Sequence, residues 1–204
     1  MQVLLILAIS VGVPAAAETP AEALLRGVEE RNQRTADLTA RFVQSYRSGM
    51  LGHEIVESGS VSVKRPGRMR WEYEEPEVKT FVADGQSFYF YVPADRQVLV
   101  QSQAGQRGVA VTLLSGGGSL SAEFQAELPA GSEGRLRLTP REPDPDVREV
   151  LVDVGPAGEI LAIEVLDVQS NRSRYEFHDT KINVGLPESL FSFDIPEGVE
   201  VIEG

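Results

Sequence analysis

The chain is poor in the side chains that usually do chemistry. It has two histidines, His53 and His178, and no cysteine. That is too few for a histidine-based zinc site or a Ser-His-Asp triad. It also excludes disulfides, a thiolate nucleophile and a lipid-modified N-terminal cysteine. Asp144 and Asp146 are the residue types of a glycosidase acid–base pair. In a chain with 31 acidic residues such pairs arise by chance, and these two sit in a polar loop, 141–146. Gly116-Gly117-Gly118 precedes no Gly-Lys-Ser, so it is not a phosphate loop. No catalytic residue, metal ligand or cofactor is expected. What asks for an explanation is an arginine. In the strand leading to Pro66, Arg65 shares its parity with Val61 and Val63, which aims a guanidinium at apolar surface. An unpaired buried charge costs several kcal/mol. Either acceptors wait for Arg65, or Pro66 breaks the register and turns it outward.

The elements that must position Arg65 are strands. Between Gly59 and Tyr91, polar and apolar residues alternate with the period of two that marks a sheet with one wet face. Pro66-Gly67, Pro76 and Asp84-Gly85 supply the turns. This predicts a four-stranded antiparallel meander rich in aromatic residues. Val61, Val63, Met69, Trp71, Tyr73, Phe88 and Phe90 share one parity and are the candidates for an apolar cavity. Parity leaves open which face is concave, and Tyr89 and Tyr91 could take the place of Phe88 and Phe90.

Before the meander, Thr19-Pro20-Ala21-Glu22 reads as a capping box with proline at the first helical position. Leu24, Leu25 and Val28 give that helix an apolar stripe as far as about Arg34. Thr39 to Arg47 follows as a strand with Ala40, Phe42, Gln44 and Tyr46 on one face, which adds Phe42 to the candidate cavity. Gly59 interrupts the strand Ile55 to Arg65 and suggests a bend or bulge. After a strand at Gln97 to Gln101, the segment Val109 to Leu114 lies between Gly108 and the glycines at 116–118. It reads as a short helix or turn capping the sheet between glycine hinges, or as an ordinary strand. Further strands are expected at Phe124, Arg135 to Thr139, Val147 to Val154, Glu159 to Asp167 and Arg172 to Phe177. Leu186 to Ile195 then carries Leu190, Phe191 and Phe193 into a short extended tail.

The 204 residues suit one domain, and no linker or repeat divides them. A hydrophobic content of 42% permits a sizeable core. The net charge of −12 disfavours nucleic acid as a partner. Lys64, Arg68 and Arg70 form a local basic cluster, expected to be a solvated turn and strand face. Residues 1–17 read as a signal peptide: Val3 to Val13 is apolar but too short to span a membrane, and Ala15-Ala16-Ala17 fits the small-residue cleavage rule. The remainder, 18–204, is expected to be soluble and extracytoplasmic.

The run KRPGRMRWEYEEP followed by VADGQSFYFYVP resembles the LolA family of periplasmic outer-membrane lipoprotein carriers. The likeness extends to Phe42-Val43-Gln44, to Leu190-Phe191-Ser192-Phe193 and to Ile195-Pro196-Glu197-Gly198-Val199-Glu200-Val201. It implies a mainly β (α+β) fold: a single-domain, incomplete antiparallel β-barrel of about eleven strands, with a helical lid over an apolar cavity. It implies a carrier rather than an enzyme, which shields acyl chains of lipoproteins in the periplasm. Such a carrier takes its cargo from an inner-membrane ABC transporter and passes it to an outer-membrane receptor; a monomer is expected. The family's Lys-Arg-Pro arginine, which hydrogen-bonds lid backbone in the closed form, falls on Arg65. The lid corresponds to the helix 20–34, with Leu24, Leu25 and Val28, and to the segment carrying Val111, Leu113 and Leu114. Gly116 to Gly118 departs from the family pattern. A paralogue carrying another lipid or glycolipid, and an envelope sensor domain, are the competing readings.

Overall fold

In the computed structural model, residues 17–50, 52–102, 109–116 and 118–204 are described, the side chains of residues 109–111 excepted. The proposed signal peptide therefore lies outside the described residues except for Ala17. Helix α1 runs from Pro20–Arg34. The Thr19 side chain accepts from the Glu22 backbone, and the Glu22 carboxylate accepts from the Thr19 backbone. The capping box thus satisfies helix-start donors that would otherwise be unpaired. The apolar stripe turns Ala21, Leu25 and Val28 into the core.

Six strands follow: β1 (Asp37–Arg47), β2 (Glu54–Lys64), β3 (Arg68–Glu75), β4 (Lys79–Ala83), β5 (Ser87–Val92) and β6 (Gln97–Ser102). Two short helices come next, α2 (Val109–Ser115) and α3 (Leu120–Glu123). Then come β7 (Phe124–Glu127), β8 (Arg135–Pro140), β9 (Val147–Val154), β10 (Ile160–Asp167), β11 (Arg172–Ile182) and β12 (Glu200–Glu203). Val109 to Leu114 is thus helical, not a strand. All the strands belong to one sheet of 12, ordered β12-β6-β5-β4-β3-β2-β1-β11-β10-β9-β8-β7. Its two halves send inward-facing side chains into one core, so Val63 and Met69 of one half cluster with Leu136 and Val150 of the other. The sheet wraps around α1 and α2 as an open, incomplete barrel.

Two expectations need correcting. The tail forms a twelfth strand that pairs parallel to β6, where every other described pairing is antiparallel. Leu186 to Ile195, to which the sequence assigned no element, is a strap over the outer face, with a 3-10 turn at Glu188–Phe191. Phe191 is buried, and Phe193 packs on Tyr89 and Tyr91 at 5.4 and 5.6 Å between ring centroids. The basic cluster is not a solvated face, because the strap engages it. Glu188 pairs with Lys64 at 2.8 Å and with Arg68 at 2.9 Å, and Lys64 also donates to the Leu186 carbonyl. Arg70 pairs with Glu72 and reaches the Leu190 carbonyl.

The bulge expected at Gly59 is present as a register shift between Ser58 and Gly59 in the β2–β3 pairing. A Cβ at Gly59 would overlap the Glu72 carbonyl and come within 3.0 Å of the Phe42 ring. Gly59→Ala should therefore lower unfolding stability by about 3 kcal/mol, the upper range for overpacking. A urea titration followed by the fluorescence of Trp71, the single tryptophan, measures this.

Candidate functional site

Arg65 follows β2 directly and points inward, under the lid. Its Nη1 donates to the Thr35 carbonyl at 2.8 Å, and its Nη2 donates to Asn32 Oδ1 at 2.9 Å and to the Leu114 carbonyl at 2.7 Å. Asn32 completes the link by donating from Nδ2 to the Leu113 carbonyl at 3.0 Å. The guanidinium thus ties together the C-terminal ends of α1 and α2. No carboxylate pairs with it among the described residues, and its Nε is buried without a partner there. The negative ends of two helix dipoles, together with neutral oxygens, take the place of a counter-ion. Burial pushes the Arg65 pKa down, to about 10, so the group remains charged at neutral pH.

Gly116 closes α2 with φ +65°, and a Cβ there would stand 2.5 Å from Arg65 Nε. Glycine is therefore required twice at this position, for the left-handed backbone and for the close approach.

Beneath the lid, the sheet's inner face carries the aromatic residues that parity selected. Cross-strand rows run Val63–Met69–Ala83–Phe88 and Val61–Trp71–Phe81–Phe90. Phe42 makes edge contacts with Trp71 and Tyr73, each at 4.9 Å. Phe42, Val61, Val63, Met69, Trp71 and Phe88 are buried together in the core, with Tyr73 packed against it. Phe88 rather than Tyr89 faces inward. Phe90 shares that face but is 37% exposed and lies outside the cluster.

From the lid, Leu25, Val28, Leu113 and Leu114 enter the same cluster and Leu24 packs at its edge; the side chain of Val111 lies outside the described residues. These lid side chains fill the space. The gap left beside Arg65 has a volume of about 40 Å³, and of the eight candidate cavity residues only Val61 lines it. Ligand pockets run to about 300–1,000 Å³. Phe42, Val61, Val63, Met69, Trp71, Tyr73 and Phe88 thus form an apolar face packed against lid side chains, with Phe90 at its exposed margin.

Asn32 and Thr35 escaped the reading of the sequence, although a signal was available. They continue the spacing of Leu25 and Val28 along one helical face, where two polar residues at the end of an apolar stripe mark a polar contact.

Over residues 33–194 the chain matches the family described as "Outer membrane lipoprotein carrier protein LolA". It belongs to the LolA family. An outer-membrane lipoprotein carrier protein of Dechloromonas aromatica (strain RCB) is 30% identical over 176 residues, covering 84% of this chain and 83% of the relative. One from Methylibium petroleiphilum (strain ATCC BAA-1232 / LMG 22953 / PM1) is 32% identical over 168 residues, covering 80% and 81%. Among solved structures, an uncharacterized conserved protein from Thermus thermophilus aligns with a TM-score of 0.55 at 13% identity, covering 91% of this chain and 100% of the other. That likeness speaks for the fold alone. The LolA match begins in the last turn of α1 and ends in the strap, so Arg65, α2 and Gly116 all fall within it.

Gly116→Ala should loosen the lid. The substitution adds roughly 1–2 kcal/mol of left-handed backbone strain and pushes a methyl group into the guanidinium. Acrylamide should then quench Trp71, buried in wild type, more efficiently, with the sheet's circular dichroism unchanged.

Proposed function

We propose that this chain is a periplasmic carrier, not an enzyme, that shields the acyl chains of lipoproteins against its inner face. In this reading residues 1–17 direct export. Cargo arrives from an inner-membrane ABC transporter, leaves to an outer-membrane receptor, and travels on a monomer. The observation that carries the proposal is the placement of Arg65: one charged side chain hydrogen-bonds the ends of two helices over an aromatic-rich apolar face, with no carboxylate paired to it among the described residues. Family membership supplies the cargo class, since the relatives are named lipoprotein carriers.

The energetics suit exchange. Fully burying a Leu or Val side chain is worth about 1.5–3 kcal/mol, so Leu25, Val28, Leu113 and Leu114 together favour the closed lid by roughly 6–12 kcal/mol at most. An acyl chain of about 15 methylenes, at about 0.8 kcal/mol each, offers a comparable gain. A single acyl chain and the lid compete for one surface on nearly equal terms, and the charge-assisted bonds of Arg65, roughly 1.5–3 kcal/mol each before desolvation, bias the balance toward the empty closed state. That bias drives release.

Native mass spectrometry of the protein purified from its own periplasm should find an acylated peptide bound. A free glycolipid there would contradict the cargo assignment. Arg65→Leu should still load acylated peptide but transfer it to receptor-bearing membranes at least about tenfold more slowly, given the bonds removed. Arg65→Lys should be intermediate, because an ammonium lacks the planar fork. Transfer by Arg65→Leu at the wild-type rate, or failure to load, would refute the latch.

A further inference from the structure

The inner face is apolar in its middle and polar at both ends. About 25 Å along β2 from Arg65, at about 3.3 Å per residue, a second polar group of side chains appears. Gln44 of β1 is the cross-strand partner of Glu57 and of Tyr175, and Tyr73 of β3 is the partner of Lys79. Tyr73 donates its hydroxyl to Gln44 Oε1 at 2.8 Å. Glu57 and Lys79 form an ion pair, with side chains only 14% and 18% exposed. The Lys79 ammonium also lies 4.9 Å from the centre of the Tyr73 ring. Burial raises the pKa of both Tyr73 and Tyr175, so each hydroxyl remains a donor at neutral pH. The group adjoins the aromatic core directly: Tyr73 contacts Phe42, and Tyr175 contacts Trp71 at 5.5 Å.

An ion pair in this place has a cost. Taking both charges largely out of water opposes folding, and apolar residues of similar size would join β2 to β4 without that penalty. A surface that only hid hydrocarbon would have no use for the pair. Acyl chains on a lipoprotein, however, end in ester and amide groups, which carry carbonyl acceptors and amide donors and are not charged. Lys79 and the tyrosine hydroxyls match the carbonyls; Glu57 and Gln44 Oε1 match the amide hydrogens. With its charges balanced, the group gives no advantage to a free carboxylate or phosphate.

We infer that Glu57, Lys79, Tyr73 and Gln44 form a head-group subsite that binds the ester and amide linkage where acyl chains join a peptide. This inference rests on the carrier reading and adds selectivity and direction to it. With the linkage at this end, the chains run along the aromatic rows toward Arg65. Their tips reach the lid where the latch holds it, so loading and unlatching are one event.

The test compares two probes on the full mature chain by titrating Trp71 fluorescence: a synthetic peptide with a triacylated N-terminal cysteine, and palmitic acid. The proteins are wild type, Tyr73→Phe and the double variant Glu57→Gln with Lys79→Met. Wild type should prefer the lipopeptide beyond what its extra chains supply. The double variant should lose about tenfold or more in lipopeptide affinity, the worth of one charge-assisted bond, while palmitate binds within about twofold of wild type. Tyr73→Phe, which keeps the ring, should lose less but in the same selective way, and it decides the matter if the double variant does not fold. Equal losses for both probes, or none, would make the group structural and overturn the subsite while leaving the carrier reading intact. If wild type bound neither probe, the carrier reading itself would fail and take the subsite with it.

Discussion

A guanidinium with no carboxylate paired to it among the described residues governs this structure. Arg65 sits where the apolar face meets the lid, and its charge is balanced by two carbonyls, an amide oxygen and the ends of two helices. Partial charges on backbone groups can be given up more readily than a carboxylate, because the departing helix ends are solvated by water as they leave. Arg65 would then face its own desolvation cost with fewer partners. The contact between Arg65 and the two helix ends thus rests on charge-assisted hydrogen bonds and not on an ion pair.

The segment between α1 and β1 is also held from the outside, by the stretch that leads into the strap. Asn183 accepts from the Ala36 backbone at 2.7 Å, and the Asp37 carboxylate accepts from the backbone of Val184, Gly185 and Leu186. Asp37 is buried at the start of β1, while Arg65 donates to the residue two positions earlier. The strap and the latch therefore meet at Thr35-Ala36-Asp37. This arrangement pins the root of β1. The convex face elsewhere carries Arg135, Asp153, Arg174 and Glu164 in a ladder of ion pairs, which keeps that side wet and directs the apolar rows inward.

Local chemistry was legible in the sequence and distant partnership was not. The capping box, the α1 stripe, the parity of β2 and β3 and the bulge at Gly59 all follow from residues a few positions apart, and the structure contains each. Arg65 was visible because its parity contradicted its charge. The strap was not, because Glu188 meets Lys64 and Arg68 from the far end of the chain and nothing local announces the contact. β12 is similarly silent: Glu200–Glu203 has no buried position, and its parallel pairing depends on β6. For the site, parity put the named residues on one face of the sheet but could not tell a bare face from one covered by Leu25, Val28, Leu113 and Leu114. That distinction depends on where α1 and α2 come to rest. Gln44 was visible on the face of Phe42, but its meeting with Tyr73 required the register of three strands.

Amide hydrogen exchange, with and without a bound triacylated peptide, shows whether cargo displaces α1 and α2. If Arg65 holds a lid that cargo displaces, loading must speed exchange in α1 and α2 while β1, β2, β3 and β9 to β11 keep or gain protection. Unchanged or increased protection of both helices in the loaded protein would mean that chains bind elsewhere, and the account of the latch would be wrong.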